Sequence, residues 1–381
     1  MEENFQCPRC GNSDPKFIGY LNGKPYCRFC ISMNGKSAAK PWKKSGAVIL
    51  KLDYKLSEKQ AEISGKIVEN YKKHVDTLIN AVCGAGKTEL VYQVIAYCLS
   101  EHKTVAFAVP RRDVVTELWC RIHDAFPSNY VVSVYGGHTD KLEGDVIVLT
   151  THQLYRYENY FDLIILDEID AFPFKDNKLL NLMFFRAVRG NIVMMSATPS
   201  DDVLEYFSQE NRQILELNTR FHRHPLPVPK VIIKVGILKY FYLVSKIKEF
   251  KKENKKVFIF TPTIDICERV AKTIKPFLPN GKYVHSKCKD RSQIIEDFKE
   301  GKFDYLVTTA VLERGVTFKN LQVIIFDADS NIYDAAALIQ ISGRVGRKFD
   351  APEGEVIFLV NKKTNSIEKA IKTIESKNKN L

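Results

Sequence analysis

Four groups of residues in this chain have types and spacings that could do chemistry. The first is AVCGAGKT at 81–88, between the apolar Leu78-Ile79 and a helical pattern over 89–99. A strand, a glycine-rich turn and a helix start make a phosphate cradle, because N–H groups at the helix start point at the anion. Gly84 and Gly86 let the backbone come close to a polyphosphate, with Cys83 and Ala85 in the same loop. Lys87 would reach the β and γ phosphates, and the Thr88 hydroxyl would ligate Mg²⁺. The usual pattern has glycine where Ala81 stands, and the plain alternative is a glycine-rich turn with no ligand.

The second group is DEID at 167–170, closing the apolar run 163–166. Adjacent carboxylates at the end of a buried strand are costly unless a cation or ligand uses them. Asp167 would hold Mg²⁺, Glu168 would deprotonate an attacking water, and Asp170 would pair with a basic residue. Acidic residues after a strand also start helices as caps, which is the plain alternative. SAT at 196–198 ends the next apolar strand and could bridge a nucleotide site to a neighbouring domain.

The third group is QISGRVGR at 340–347. Its spacing predicts Arg344 and Arg347 about one helical turn apart, on one side. Arginine stabilises charge on a transferring phosphoryl group, typically worth 10³–10⁵ in rate. Gly343 and Gly346 would weaken a plain helix end, so they suggest close approach.

The fourth group is Cys7, Cys10, Cys27 and Cys30, two C-x₂-C pairs separated by sixteen residues. This is the spacing of a structural zinc site with four thiolates and no open catalytic position. Residues 17–20 and 24–26 form a hairpin around Asn22-Gly23. So short a segment cannot build an adequate core, and metal ligation would supply its folding energy.

These groups need elements to hold them. SEKQ at 57–60 opens a helix toward residue 73, in a capping box that uses Gln60. The other reading of Gln60 is an amide that contacts adenine. Strands are expected over 104–109, 131–134, 145–149, 163–166 and 192–195, with helices over 89–99, 112–124 and 178–188. Several strands are apolar throughout, as parallel strands buried on both faces should be. The first large domain is therefore an α/β doubly wound sheet. A second alternation follows the Pro-rich 219–230: strands over 257–260, 283–285, 305–308, 323–326 and 355–360, helices over 239–252, 265–277, 291–299 and 335–341. No second cradle is present in it. The expected domains are a zinc module over 1–35, a basic linker over 36–54, an ATP-binding domain over 55–218, a linker over 219–236 and a second α/β domain over 237–381. In the first linker, Trp42 among lysines would either stack on a base or pack the zinc module on its neighbour.

The net charge of +12 on 381 residues suggests a polyanionic partner, nucleic acid or an anionic membrane surface. Apolar residues make up 45%, so a packed core is expected rather than disorder. No apolar run approaches the ~18 residues that span a bilayer. The polar N-terminus is unlike a secretory signal, so the expected location is cytoplasmic, with the nine cysteines reduced.

In order and spacing, Gln60, 84–88, 167–170, 196–198, 308–315 and 340–347 resemble the motifs of a superfamily 2 helicase core over about residues 51–360. With the four-cysteine module in front, the whole chain is similar to the ComFA family, the competence ATPases of Gram-positive bacteria. The resemblance implies two RecA-like domains in tandem and an ATP hydrolase stimulated by single-stranded DNA. ATP would lie between them, held by Gln60 and the cradle on one side, with Gly315, Gln340, Arg344 and Arg347 on the other. It also implies late competence proteins and a membrane DNA channel as partners, with a location at the inner face of the membrane. By motif position, DNA contacts would involve Arg111, Arg112, Thr151, Thr263 and Thr309. Thr317 stands where DEAD-box RNA helicases have aspartate, which weakens an RNA-helicase reading. The rival readings are an RNA or DNA-repair helicase on the same core, and a nucleotide-gated DNA-binding adaptor with little turnover.

Overall fold

The structure is a computed structural model; it describes residues 5–33, 35–38, 47–169, 177–309 and 318–379. Trp42, Asp170, Gly315 and Thr317, singled out above, lie outside those residues. The chain divides into two compact units, Met1–Ala81 with Gly86–Leu217, and Val82–Ala85 with Asn218–Leu381.

The first unit begins with an antiparallel hairpin, β1 (Ile18–Leu21) and β2 (Lys24–Cys27). Asn22 and Gly23 both take positive φ, 49° and 77°, as a tight two-residue turn requires. Helix α1 (Glu58–Lys72) follows, and then β3 (Asp76–Ala81), the short α2 (Lys87–Leu90) and α3 (Tyr92–Ser100). The single helix expected over 89–99 is thus two pieces, divided at Val91. Next come β4 (Val105–Val109), α4 (Arg112–Ala125), β5 (Val131–Val134), β6 (Val146–Thr150) and β7 (Phe161–Asp167). The unit closes with α5 (Lys178–Ala187), β8 (Val188–Ser196), α6 (Asp201–Phe207) and β9 (Arg212–Leu217).

Among the described residues these strands form a seven-stranded sheet, ordered β5-β6-β4-β7-β8-β3-β9. Every pairing in it is parallel. All five residues of β4 are buried, as the uninterrupted apolar run requires of a strand covered on both faces. Phe107 in that strand is fully buried, and its truncation to alanine would cost about 3–5 kcal/mol. The cysteine-rich segment is part of the same body. Its four cysteines join Leu154, Tyr157, Met183 and Phe184 in one apolar cluster.

The second unit contains β10 (Lys230–Ile233), α7 (Ile237–Lys252), β11 (Lys256–Phe260), α8 (Ile264–Ile274), β12 (Gly281–Val284) and α9 (Arg291–Lys299). It continues with β13 (Tyr305–Thr308), β14 (Leu321–Phe326), α10 (Ala335–Ser342), β15 (Val356–Val360) and α11 (Asn365–Asn378). Among the described residues its sheet has six strands, ordered β10-β15-β14-β11-β13-β12 and again parallel throughout. The edge strand β10 falls inside the stretch expected as a linker. Just before it, the Leu226 N–H donates to Asn378 Oδ1 at 2.8 Å and the Asn378 Nδ2 donates to the Leu226 carbonyl at 2.9 Å. One amide side chain at the end of α11 therefore holds the backbone N–H and carbonyl of a residue 152 positions earlier.

Candidate functional site: a phosphate cradle and a four-cysteine centre

Strand β3 delivers the chain into the cradle loop with Ala81 fully buried. Gly84 and Gly86 then take φ of 83° and 76°, the left-handed region that favours glycine. Gly86 caps the start of α2, and a Cβ there would come 2.6 Å from Gln60 Nε2. The left-handed backbone disfavours a larger residue, and a Cβ would also displace the Gln60 amide. Lys87 and Thr88 occupy the first turn of α2, where N–H groups have no partner within the helix.

The Lys87 ammonium lies 3.7 Å from Asp167 Oδ1, at the end of β7. Both side chains are 16% exposed, shielded enough to interact yet still open to a ligand. The donor set fits a magnesium nucleotide. A cation and a carboxylate face each other, and a hydroxyl residue follows the lysine in the first turn of α2. Glu168 follows with φ 58°, a conformation that costs about 1–3 kcal/mol in a non-glycine residue. Its N–H is directed to Met195 O at 3.1 Å and Asp167 Oδ1 at 2.8 Å, which holds the kink in place.

Gln60 makes the capping box. The Ser57 N–H donates to Gln60 Oε1 at 3.0 Å, and the Gln60 N–H donates to Ser57 Oγ at 3.3 Å. The carbonyl end thus serves the helix, while the amide nitrogen is the end beside Gly86. Ser196 is fully buried at the end of β8, where its Oγ accepts from the Thr198 N–H at 2.9 Å.

The second unit holds the arginine segment, and it corrects one expectation. Helix α10 stops at Ser342, so Arg344 and Arg347 do not sit one helical turn apart. The chain turns at 343–346 because Gly346 takes φ 67° with its Cα against the Pro352 carbonyl, where a Cβ would come within 2.1 Å. Arg344 is buried, and the Arg347 Nε donates to the Gly343 carbonyl at 2.9 Å. Within this same unit the Cys83 thiol donates to Gln340 Oε1 at 3.1 Å.

The turn is held by residues that sequence reasoning passed over as parts of the interdomain linker. Arg220, 2% exposed, donates from Nη1 to the carbonyls of Val345 at 2.9 Å and Gly346 at 2.8 Å. The His222 Nε2 donates to the same Gly346 carbonyl at 2.8 Å. Burial brings the Arg220 guanidinium down to about 10, still charged at neutral pH. Burial likewise lowers His222. The one sequence signal was a pair of basic residues astride Phe221 where a plain linker needs none.

The residues expected at a DNA strand divide. Arg112 is exposed, its guanidinium 4.7 Å from the Tyr135 ring centroid, and Arg111 is half-buried at the start of α4. The Thr263 Oγ1 accepts from the Ile266 N–H and caps α8. Thr151 is fully buried and Thr309 is 9% exposed. The Thr151 hydroxyl is shielded just past β6, and Thr309 follows directly on β13.

Cys7, Cys10, Cys27 and Cys30 come together as four buried thiols with no disulfide. All their sulfurs lie within 4.8 Å of one another, and the Cys7–Cys30 and Cys10–Cys27 pairs are 3.7 Å apart. Tetrahedral zinc with Zn–S of ~2.3 Å has sulfur–sulfur edges of about 3.8 Å, so the residues fit that ion. Burial pushes the Cys10 thiol up to about 11 and raises Cys30 as well, while at Cys7 burial is outweighed by hydrogen bonds from the Cys10 and Arg9 backbone and the thiol is lowered. A cation is what would make thiolates of such a set.

Comparison with known proteins agrees with this geometry. Residues 53–201 match the family described as type III restriction enzyme, res subunit, and residues 237–349 match the helicase conserved C-terminal domain. The competence protein ComFA of Bacillus subtilis (strain 168) is 34% identical over 99% of this chain and 86% of its own length. The chain belongs to the ComFA family. A second ComFA, from Streptococcus pneumoniae (strain ATCC BAA-255 / R6), is 33% identical over 98% of this chain and 90% of that protein. Among solved structures, a point variant of S. cerevisiae Dbp5 bound to RNA and ADP BeF3 covers 86% of this ComFA-family chain and 92% of its own, with a TM-score of 0.64 at 17% identity. That likeness concerns the fold: two parallel-sheet RecA-like domains, here with a four-cysteine cluster before them. Helicase domains and fold together mark an ATPase-type enzyme of the superfamily 2 class. Among the described residues no helix is long and apolar enough to cross a membrane.

Proposed function

We propose that this protein is an ATP-driven motor on single-stranded DNA that works in the uptake of transforming DNA. The observation that carries the reading is the Lys87–Asp167 pair at 3.7 Å beside a kinked Glu168. In this reading Lys87 exchanges Asp167 for the β and γ phosphates of ATP, with the amides of 83–86 on the same phosphates. Thr88 and Asp167 hold Mg²⁺, which supplies charge neutralisation at the phosphates. Glu168 orients a water and takes its proton as the water attacks the γ-phosphorus, the bond to the β–γ bridging oxygen breaks, and ADP leaves with that oxygen. Gln60 contacts the adenine through its amide nitrogen. Gly315, Gln340, Arg344 and Arg347 complete the site, the two arginines stabilising charge on the γ-phosphoryl group.

DNA would run past Arg111, Arg112 and Thr263, gripped largely through its phosphates and without sequence preference. The names of the two bacterial relatives support the competence setting. In that setting the protein acts in the cytoplasm, at the inner face of the membrane, with late competence proteins and a DNA channel as partners. The four cysteines hold Zn²⁺ as a structural ion.

The test is ATPase rate against single-stranded DNA, single-stranded RNA and duplex. The expected result is strongest stimulation by single-stranded DNA and no turnover in Lys87→Ala. Stronger stimulation by RNA would defeat the DNA reading, and negligible turnover with every nucleic acid would make the protein a nucleotide-gated adaptor.

A further inference from the structure

The N-terminal hairpin has a face that neither the cradle nor the sulfur site uses. In an antiparallel pair, directly opposed residues share a face and successive pairs alternate between faces. Ile18 opposes Cys27 and Tyr20 opposes Pro25, on the side that carries Cys27 into the four-sulfur cluster. Gly19 opposes Tyr26 and Leu21 opposes Lys24, on the other side. Arg28 follows Cys27 and returns to the Tyr26 side. Leu21, Lys24 and Arg28 are all exposed.

The arrangement on this side depends on the glycine. A Cβ at position 19 would come 2.5 Å from Tyr26 Cζ and 2.7 Å from Arg28 Nε. The Tyr26 ring therefore lies across the bare backbone of Gly19, with the guanidinium beside it. The Arg28 carbon is 5.9 Å from the ring centroid. This places a π-face, a planar cation and a lysine on one open surface. The local charge has one sign. Among the described residues of 5–38, Arg9, Lys16, Lys24, Arg28 and Lys36 stand against a single carboxylate, Asp14. The Asp14 carboxylate accepts from the Lys16 N–H at 3.0 Å, as a local cap.

We propose that Gly19, Leu21, Lys24, Tyr26 and Arg28 form a base-stacking platform that grips single-stranded DNA. A base lies on Tyr26, and Lys24 and Arg28 hold the flanking phosphates. Aromatic rings set among cations are how sequence-tolerant single-strand binding is built, because every base has a π-face. A protein partner fits this side less well, since its one-sided positive charge matches a phosphate backbone. The platform deepens the motor reading, on which it rests for its substrate, and gives the zinc module a task in that motor.

The test uses the full-length, zinc-loaded protein and a fluorescent oligo-dT, titrated without nucleotide. Tyr26→Ala and Gly19→Val each weaken binding about tenfold, and Tyr26→Phe, which keeps the ring, binds as the parent does. Arg28→Gln lowers the slope of log affinity against log salt by about 0.7. Zinc content stays at one per chain in all four. The DNA concentration for half-maximal ATPase rises in Tyr26→Ala, while the rate at saturating DNA holds. Parental affinity in Tyr26→Ala and Gly19→Val with zinc retained would overturn the proposal and leave the face to a protein partner. If Gly19→Val loses zinc, the comparison of Tyr26→Ala with Tyr26→Phe decides alone. A chain without DNA-stimulated ATPase would sink the motor reading, and the oligonucleotide titration would still decide the platform.

Discussion

Replacing Arg220 by methionine tests whether the buried guanidinium holds the arginine turn. Methionine keeps most of the length and apolar bulk but has no donors. The carbonyl of Val345 loses its 2.9 Å bond, and that of Gly346 keeps only His222. Each desolvated carbonyl that loses a donor costs about 1–3 kcal/mol, so the two together cost about 2–6. Removing the desolvation burden of a buried charge offsets part of this, so the lower half of the range is the expectation. In a unit of this size 1 kcal/mol moves the melting temperature by about 2–4 °C, so the lower half of the range, about 2–4 kcal/mol, predicts a fall of about 4–16 °C in the second unit's transition. Calorimetry of parent and variant reads that shift. The DNA-stimulated ATPase should fall at least about tenfold well below the melt, because a displacement of ~1 Å in a catalytic group costs on the order of 10² in rate. Arg220→Lys keeps the charge without the fork and should lie between the two. A melt within about 1 °C of the parent, with full ATPase, would refute the reasoning.

Other outcomes follow from the same geometry. Glu168→Gln should bind ATP normally and hydrolyse it about 10²–10⁴-fold more slowly, measured by nucleotide titration and single-turnover assay. Arg344→Ala and Arg347→Ala should each lower turnover by up to about 10³ with little change in ATP affinity, read from kcat and KM. Chelation or Cys27→Ala should release zinc and open residues 5–38 to protease, read by mass spectrometry of the fragments, while the second unit melts unchanged. Burial alone would raise the Asp162 carboxyl, but Arg189 at 2.7 Å and the Thr104 N–H outweigh it and hold it below the usual carboxylate range. That depressed value adds stability in full above pH ~4, lost as pH falls through the folded-state value. Arg189→Met should therefore destabilise the first unit near neutrality and flatten its acid limb, measured by urea unfolding from pH 7 down to 3.

The elements most legible in the sequence were those with one strong pattern. Strands β5 and β13 and helix α9 fall at their expected bounds, because continuous apolar runs and a clean helical period leave little choice. Strands β9 and β10 went unread because both are edges with mixed burial, and their short patterns resemble connecting chain. In the site, the glycines, Lys87 and the paired carboxylates were legible because phosphate chemistry restricts residue type. The positive φ of Glu168 was not, since nothing in a glutamate signals the left-handed region. The arginine spacing suggested a helix, but the Gly346 contact with Pro352 is a tertiary fact that local periodicity does not carry. Arg220 escaped for the same reason: its partners lie 125 and 126 residues away. The burial of Thr151 and Thr309 was not legible either, because motif position says nothing of burial.

The amide clamp between Asn378 and Leu226 has a consequence for synthesis. The peptide that leads into the first strand of the second sheet obtains its partner only from the end of the last helix. A nascent chain still short of that helix carries this peptide unlocked, however well the intervening strands have paired. The entry to the second sheet is thus completed only once α11 has formed, and Asn378→Ala should leave both Leu226 groups without this partner.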